Sequence, residues 1–99
     1  MALDIYRLSD KKREKKIYSL DEASLASMSE IFSEFKKRTG IDIDSYGDNR
    51  IYCDHLELIS TLISSKKDPS KNIDKRILAF KDFLDKEVKG REDLLMVGD

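Results

Sequence analysis

The sequence predicts a mainly α-helical fold, in which three helices form one small domain with a minor extended or hairpin element between the first two helices. A chain of 99 residues has the length of a single domain. Apolar residues recur at spacings of three and four in three separate segments, which is the period of an amphipathic helix. Charged residues make up 39% of the chain, above the roughly 25% of an average domain. We therefore expect helices over residues 19–39, 54–66 and 72–89, and the extended element within residues 41–52.

Residues 1–18 are expected to form an N-terminal arm that precedes a helical body of residues 19–99. The arm carries six basic and three acidic residues, a net charge of +3. Its apolar start, Leu3 to Leu8, is predicted to dock as a strand or as a short helical turn. The basic run that follows is predicted to be a solvated connection. Its cations are Lys11, Lys12, Arg13, Lys15 and Lys16.

The first helix is predicted to begin at a capping box and to carry a broad apolar stripe. Ser19 and Glu22 have the spacing at which two side chains reciprocally satisfy free backbone N–H groups. The stripe consists of Leu25, Met28, Ile31, Phe32 and Phe35. Its spacing places these side chains on one side of the helix, so we expect them in the core.

The second and third helices follow the same apolar pattern. Asp54 is predicted to cap the second helix, with Glu57 as its reciprocal partner. Pro69 ends that helix because proline disfavours helical geometry in the residue before it. Ser70 or Asn72 is predicted to cap the third helix. The apolar face of the second helix is Leu56, Ile59, Leu62 and Ile63, and that of the third is Ile73, Ile77, Phe80, Leu84 and Val88.

An apolar run, Leu94 to Val97, lies close to the end of the sequence. Four consecutive apolar residues are expected to be shielded from water. They could extend the third helix, or form a strand beside residues 5–8 or residues 41–43. A run this short has no periodicity that distinguishes between the two.

The longest interruption between helical patterns is the segment 39–55. Gly40 follows three cations, which is typical of a helix end. Ile and Asp alternate over residues 41–44, the period of a half-buried strand. Residues 45–49 are rich in turn formers, and residues 50–52 resume an extended pattern. We expect a short hairpin here, or an ordered loop with two extended arms.

The acidic residues of this segment are placed almost as in a calcium-binding EF-hand, but the ligand register fails. If Asp42 takes the first position of the calcium loop, the fifth is Tyr46, the ninth is Arg50 and the twelfth is Cys53. The twelfth should be a bidentate Glu, which supplies two of the oxygen ligands. We therefore predict that the protein binds no metal and needs no cofactor.

The sequence does not predict an enzyme. Cys53 and His55 are two residues apart near a helix start, and such neighbours do not share a helix face. Asp54 lies between them and opposes formation of a thiolate. The single Cys is expected to be reduced, which favours a cytoplasmic setting. Residues 1–16 lack the long apolar core that is typical of a signal peptide, and no apolar run approaches the roughly 20 residues that span a membrane, so we expect a protein made and used in the cytosol.

Charge is distributed unevenly along the chain. Residues 19–65 hold four basic and nine acidic residues, a net charge of −5, whereas the whole chain has a net charge of −1. An acidic face of this kind attracts basic partners and speeds their encounter.

The run FKKRTGIDIDSYGDNRIYCDHLEL, Phe35 to Leu58, combines three features. They are an Arg-Thr-Gly helix end, an Ile-Asp-x-Tyr-Gly-Asp-x-Arg loop and a helix that begins with His. The run resembles small bacterial immunity proteins that accompany polymorphic toxins, including those of contact-dependent growth-inhibition systems. It covers about a quarter of the chain. The resemblance implies a protein that binds and neutralises a cognate toxin domain in the cytoplasm, and it carries over no catalytic residues.

We predict that such a partner, a basic toxin domain, binds the acidic loop and its tyrosines. The predicted contact residues are Asp42, Asp44, Tyr46, Asp48 and Tyr52. Carboxylates would meet Lys or Arg of the partner, and tyrosines are common at binding hot spots. The alternative for both tyrosines is that they cover the edge of the core.

The second functional hypothesis is a small nucleic-acid-associated regulator that uses the basic segment 11–16. Lys and Arg in such a run can contact phosphates. The segment contains no interleaved aromatic residues to stack on bases, and the net charge of the chain argues against a general nucleic-acid binder. We expect no membrane partner.

Overall fold

A four-stranded antiparallel sheet packs against three helices in a computed structural model of the chain, which describes residues 2–44, 46–65 and 75–98. The strands are β1 (Leu3–Arg7), β2 (Tyr18–Leu20), β3 (Asp48–Ile51) and β4 (Leu94–Gly98). The helices are α1 (Glu22–Thr39), α2 (Cys53–Ser65) and α3 (Lys75–Lys89).

The prediction of a mainly α-helical, three-helix domain is therefore wrong, because the described residues form an α/β domain with a four-stranded antiparallel sheet beside the three helices. Each of the three expected helices is present. α1 begins three residues inside its predicted range and ends with it, and α2 begins one residue before its predicted range. α3 is described from Lys75 and ends with its predicted range at Lys89, and residues 66–74 lie outside the described residues. The sheet was not predicted, because its strands have only three to five residues. Runs that short carry little periodic signal, and their partners are far away in the sequence.

The order of strands in the sheet is β2-β1-β4-β3, so β1 and β4 are central. β1 pairs with β4 in a register that places Leu3 opposite Gly98 and Arg7 opposite Leu94. Part of the segment predicted as an N-terminal arm thus occupies the middle of the sheet. The apolar run of β4 is a strand rather than an extension of α3. It lies beside β1, as one alternative predicted, and beside β3.

The sheet has one face toward the helices, here called the inner face, and an opposite outer face. Inner-face residues of the strands join one core cluster with residues of all three helices. The strand residues in this cluster are Leu3, Ile5, Leu20, Ile51, Leu94 and Met96. Their neighbours along the strands, such as Asp4 and Arg50, point to the outer face because successive side chains alternate in a strand. An ion pair between Arg7 and Glu87, at 3.3 Å, also connects β1 to α3.

The caps predicted for the first two helices from local sequence patterns are made by other residues. Asp21 caps α1, since its side chain accepts a hydrogen bond from the Ser24 N–H at 2.8 Å. Ser19 instead lies in β2. At the start of α2, the Cys53 N–H donates to Asp93 at 2.8 Å. The capping carboxylate thus comes from the loop between α3 and β4, and Asp54 belongs to the first turn of the helix.

The expected extended element between α1 and α2 is present only in its second half. β3 includes residues 50 and 51 of the predicted extended arm and begins at Asp48, within the predicted turn. It pairs with β4 instead of forming a local hairpin. Residues 41–44 form no strand. Pro69 and the two cap candidates of the third helix, Ser70 and Asn72, lie outside the described residues. Within the described parts of the chain, no helix is long and apolar enough to cross a membrane.

Candidate functional site

The loop that leads from α1 to β3 starts with a tightly bonded helix end. Gly40 adopts the left-handed conformation, with φ 77°, and its N–H donates to the backbone carbonyl of Lys36 at 2.7 Å. Thr39 donates to the Phe35 carbonyl at 2.8 Å and accepts from the Ile41 N–H at 3.1 Å. The chain therefore leaves the helix in one defined direction, as the sequence predicted for Gly40.

Ile and Asp alternate over residues 41–44, and their side chains alternate between half-buried and exposed although the segment is not a strand. Ile41 and Ile43 are half-buried and pack against the core cluster. Asp42 and Asp44 are exposed. The two isoleucines anchor the loop to the domain, and the two carboxylates lie toward solvent.

Asn49 fixes the conformation of the loop from the inner face of β3, where it is only 8% exposed. Its Oδ1 accepts from the Asp44 N–H at 2.7 Å, and its Nδ2 donates to the Asp44 carbonyl at 2.8 Å. The same Nδ2 also reaches the carbonyls of Gly47 and Met96, both at 3.2 Å. One side chain thus ties the loop to itself and to β4.

The tip of the loop is held by two further hydrogen bonds. The Asp44 side chain accepts from the Tyr46 N–H at 2.9 Å, so this carboxylate shapes the turn. The Gly98 N–H donates to the Gly47 carbonyl at 2.8 Å, which joins the tip to the end of β4. A Cβ at Gly47 would lie 2.9 Å from the Asp44 carboxylate, too close for an ordinary side chain without a shift.

Two tyrosines are the large apolar side chains that this anchored segment exposes. Tyr46 is 67% exposed at the loop tip, and Tyr52 is 49% exposed where β3 meets α2. They lie near opposite ends of β3, and six fully extended steps set an upper limit of about 20 Å on their separation. A standard interface covers about 800 Å² on each partner and is wide enough to include both.

β3 is also an edge strand. Its one strand neighbour among the described residues is β4, so its other side pairs with no strand in that part of the chain. We call the surface formed by Asp44, residues 46–52 and the first two turns of α2 the β3 edge.

The predicted acidic residues do not form one cluster of free carboxylates. Asp42 pairs with Lys36 at 3.5 Å, and Asp48 pairs with Arg13 at 2.8 Å. Asp48 lies opposite Val97 in the sheet, one residue from the inward-facing Asn49, and therefore points to the outer face. Both ion pairs involve exposed side chains and are worth no more than about 1 kcal/mol. A basic partner could therefore compete for either carboxylate.

Two acidic residues beside Tyr52 were not included in the predicted site. Asp54 and Glu57 are exposed on the first two turns of α2. Neither has an ion-pair partner among residues 2–44, 46–65 and 75–98. Negative charge is favourable in the first turn of a helix, so Asp54 fits its position, and Glu57 lies one turn further along. The sequence showed the helix start, but both residues were assigned to a capping box.

Cys53 and His55, at the start of α2, face the protein interior in part. The Cys53 thiol donates weakly to the Val88 carbonyl, at 3.8 Å. Burial raises the pKa of this thiol, and the charges of Asp54, Asp93 and Glu57 raise it further. The protonated thiol is a poor nucleophile. The His55 ring packs edge-on against Phe35, with the centroids 5.8 Å apart.

The His55 Nδ1 atom is buried and has no hydrogen-bond partner in the described parts of the chain. No group of three His, Cys, Asp or Glu side chains within those parts is arranged to hold a metal ion.

The basic segment 11–16 is folded back on the domain. Arg13 bonds Asp48 on β3, and Lys16 lies 3.7 Å from Asp4 on β1. Asp10 accepts from the backbone N–H groups of Glu14 and Lys15. Two of the five cations proposed for nucleic-acid contact are therefore already paired with carboxylates, and the segment forms one side of a cleft over the outer face.

Comparison with known proteins adds no relative: no protein-family model, no curated protein and no solved structure matches this chain significantly.

Proposed function

We propose that this chain is a binding protein that neutralises a toxin by docking a basic domain of that toxin on the β3 edge. The observation that carries the proposal is Tyr46, which is 67% exposed on a loop fixed by Asn49. The backbone that carries this ring is already fixed, so a partner that buries the ring orders one side chain and no loop. Tyr is also among the residues that most often act as hot spots.

The charges of the β3 edge favour a basic partner. Asp44 at the loop tip and Asp54 and Glu57 beside Tyr52 are exposed carboxylates. Carboxylates around a docking surface speed association with Lys- and Arg-rich surfaces, which toxins that act on nucleic acids use to bind phosphates. Covering such a surface would prevent the substrate from binding to the toxin. The resemblance of residues 35–58 to immunity proteins points in the same direction.

We propose that the protein acts in the cytoplasm, where it would bind a toxin that enters the cell or is made in it. Cys53, the single cysteine of the chain, is half-buried and its thiol is held in the protonated form. A free thiol of this kind is stable in a reducing compartment.

The test uses the protein encoded immediately upstream as the binding probe, in isothermal titration calorimetry with the purified chain. Tyr46→Ala should weaken binding by about 2 kcal/mol or more, roughly a thirty-fold rise in Kd. Tyr46→Phe keeps the ring and should bind within about 1 kcal/mol of the natural chain, which makes it the matched control. Circular dichroism verifies that both variants are folded.

A second variant tests the charges. Asp54→Asn with Glu57→Gln should mainly lower the association rate, and more so at low salt than at high salt. Full binding by a folded triple variant, Tyr46→Ala with Asp44→Asn and Asp48→Asn, would show that the interface lies elsewhere. No binding of the upstream product by the natural chain would overturn the proposed partner.

A further inference from the structure

A second surface of the molecule lies on α1, on a side of the helix that does not enter the core. The core side of α1 carries Met28, Ile31 and Phe35. The other side forms a groove of about 490 Å³ with the segment that follows the helix. The groove is lined by Glu22, Leu25, Ala26, Ser29, Phe32, Ser33, Lys36, Asp42 and Ile43. Leu25 and Phe32 are half-buried at its base, so part of each side chain still faces the groove.

The helix residues that line the groove are arranged symmetrically about Ser29. Glu22 and Lys36 lie seven residues before and after it, Leu25 and Ser33 lie four residues away, and Ala26 and Phe32 lie three residues away. The members of each pair are complementary. The outermost pair combines an acid with a base, and the two inner pairs combine a large side chain with a small one.

We propose that this groove binds α1 of a second copy of the chain, antiparallel to the first and related to it by a two-fold axis at Ser29. A two-fold interface brings each residue pair together twice. Glu22 of each copy then meets Lys36 of the other, Phe32 lies opposite Ala26, and Leu25 lies opposite Ser33. A parallel arrangement would instead bring Glu22 against Glu22 and Lys36 against Lys36.

The spacing along α1 suits such a contact. The positions 22, 25, 29, 32 and 36 alternate three and four residues apart, which is the seam of paired helices. Glu22 and Lys36 are about 21 Å apart along the helix axis, at about 1.5 Å per residue. The small residue at the centre, Ser29, allows the two helix backbones to approach closely.

Lys36 is already near a carboxylate, because its Nζ lies 3.5 Å from Asp42. That pair is exposed on both sides, with 58% and 69% of the two side chains in water. An exposed pair is weak, so Lys36 can turn to Glu22 of the second copy or lie between the two carboxylates. A seam of four helical turns buries a modest area, and the dimer should therefore be reversible.

Sedimentation equilibrium of the full chain, from about 1 µM to about 1 mM, tests the proposal. The natural chain should show a dimer that increases with concentration. Ser29→Glu places two carboxylates across the axis and should weaken association at least tenfold. Ala23→Glu adds the same charge at an exposed position of α1 outside the groove, and should dimerise like the natural chain. A natural chain that is monomeric throughout, or a Ser29→Glu variant that dimerises normally, would overturn the proposal.

Charge reversal tests the antiparallel direction. Glu22→Lys alone and Lys36→Glu alone should each weaken the dimer, because like charges then meet twice. The double variant restores opposite charges at both contacts and should dimerise more tightly than either single variant. A double variant no tighter than the single variants would contradict the antiparallel register, with circular dichroism showing that all three are folded.

Discussion

Replacing Asn49 with Ala should lower the free energy of unfolding much more than the replacement of an exposed turn residue would. The side chain makes two short hydrogen bonds to the backbone of Asp44, at 2.7 and 2.8 Å, and two longer ones at 3.2 Å. Each short bond is worth about 1 kcal/mol, and the longer two, which share donors, about 1 kcal/mol together. The sum is a loss of about 3 kcal/mol in the free energy of unfolding.

Urea denaturation followed by circular dichroism measures this loss directly. In a domain of this size each kcal/mol lowers Tm by about 4 to 8 °C, so Tm should fall by more than about 10 °C. Asn49→Asp keeps the acceptor for the Asp44 N–H but turns a carboxylate oxygen toward the carbonyls of Asp44, Gly47 and Met96. It should therefore be no more stable than Asn49→Ala. An Asn49→Ala variant within about 0.5 kcal/mol of the natural chain would refute the bracing role of this residue.

Two further predictions concern the start of α2. Asp93→Ala removes the carboxylate that accepts from the Cys53 N–H and should lower the free energy of unfolding by about 1 kcal/mol, while Asp93→Asn, which keeps an acceptor, should lose less. The pKa of the Cys53 thiol is raised above its ordinary value of 9.0 by burial and nearby acids. The unfolded chain then loses this proton first as pH rises, so stability is intact below about pH 9 and falls above it. Cys53→Ala should reduce that alkaline loss, and equal pH profiles for both chains in urea denaturation would contradict it.

The helices could be predicted because their apolar stripes run for three turns or more. The end of α1 at Thr39 agrees with the prediction, since Gly40 and the cations before it mark a helix end locally. The start of α1 differs because Ser19 is needed in β2, where it lies opposite Asp4. Local patterns thus identified the helices, and strand pairing moved the start of α1.

The sheet could not be predicted in the same way. β1 and β4 come from opposite ends of the described chain, and the register of Leu3 with Gly98 depends on contacts that no local window contains. The candidate site is a mixed case. The sequence proposed Tyr46 and Tyr52 as contact residues, and the structure shows that both side chains are exposed, but Asn49 was treated only as a turn former. Asn49 and Ile51 share the inner face of β3, so the alternation of the strand was the available signal.

The proposal that the β3 edge is the docking surface is tested most directly by amide hydrogen exchange of the chain, alone and with the upstream gene product bound. The account predicts added protection over the loop tip around Tyr46, along β3 and through the first turns of α2 as far as Glu57. Residues of the α1 groove and of the basic segment 11–16 should exchange at the same rate in both samples. Protection confined to the basic segment, with the β3 edge unchanged, would contradict the account.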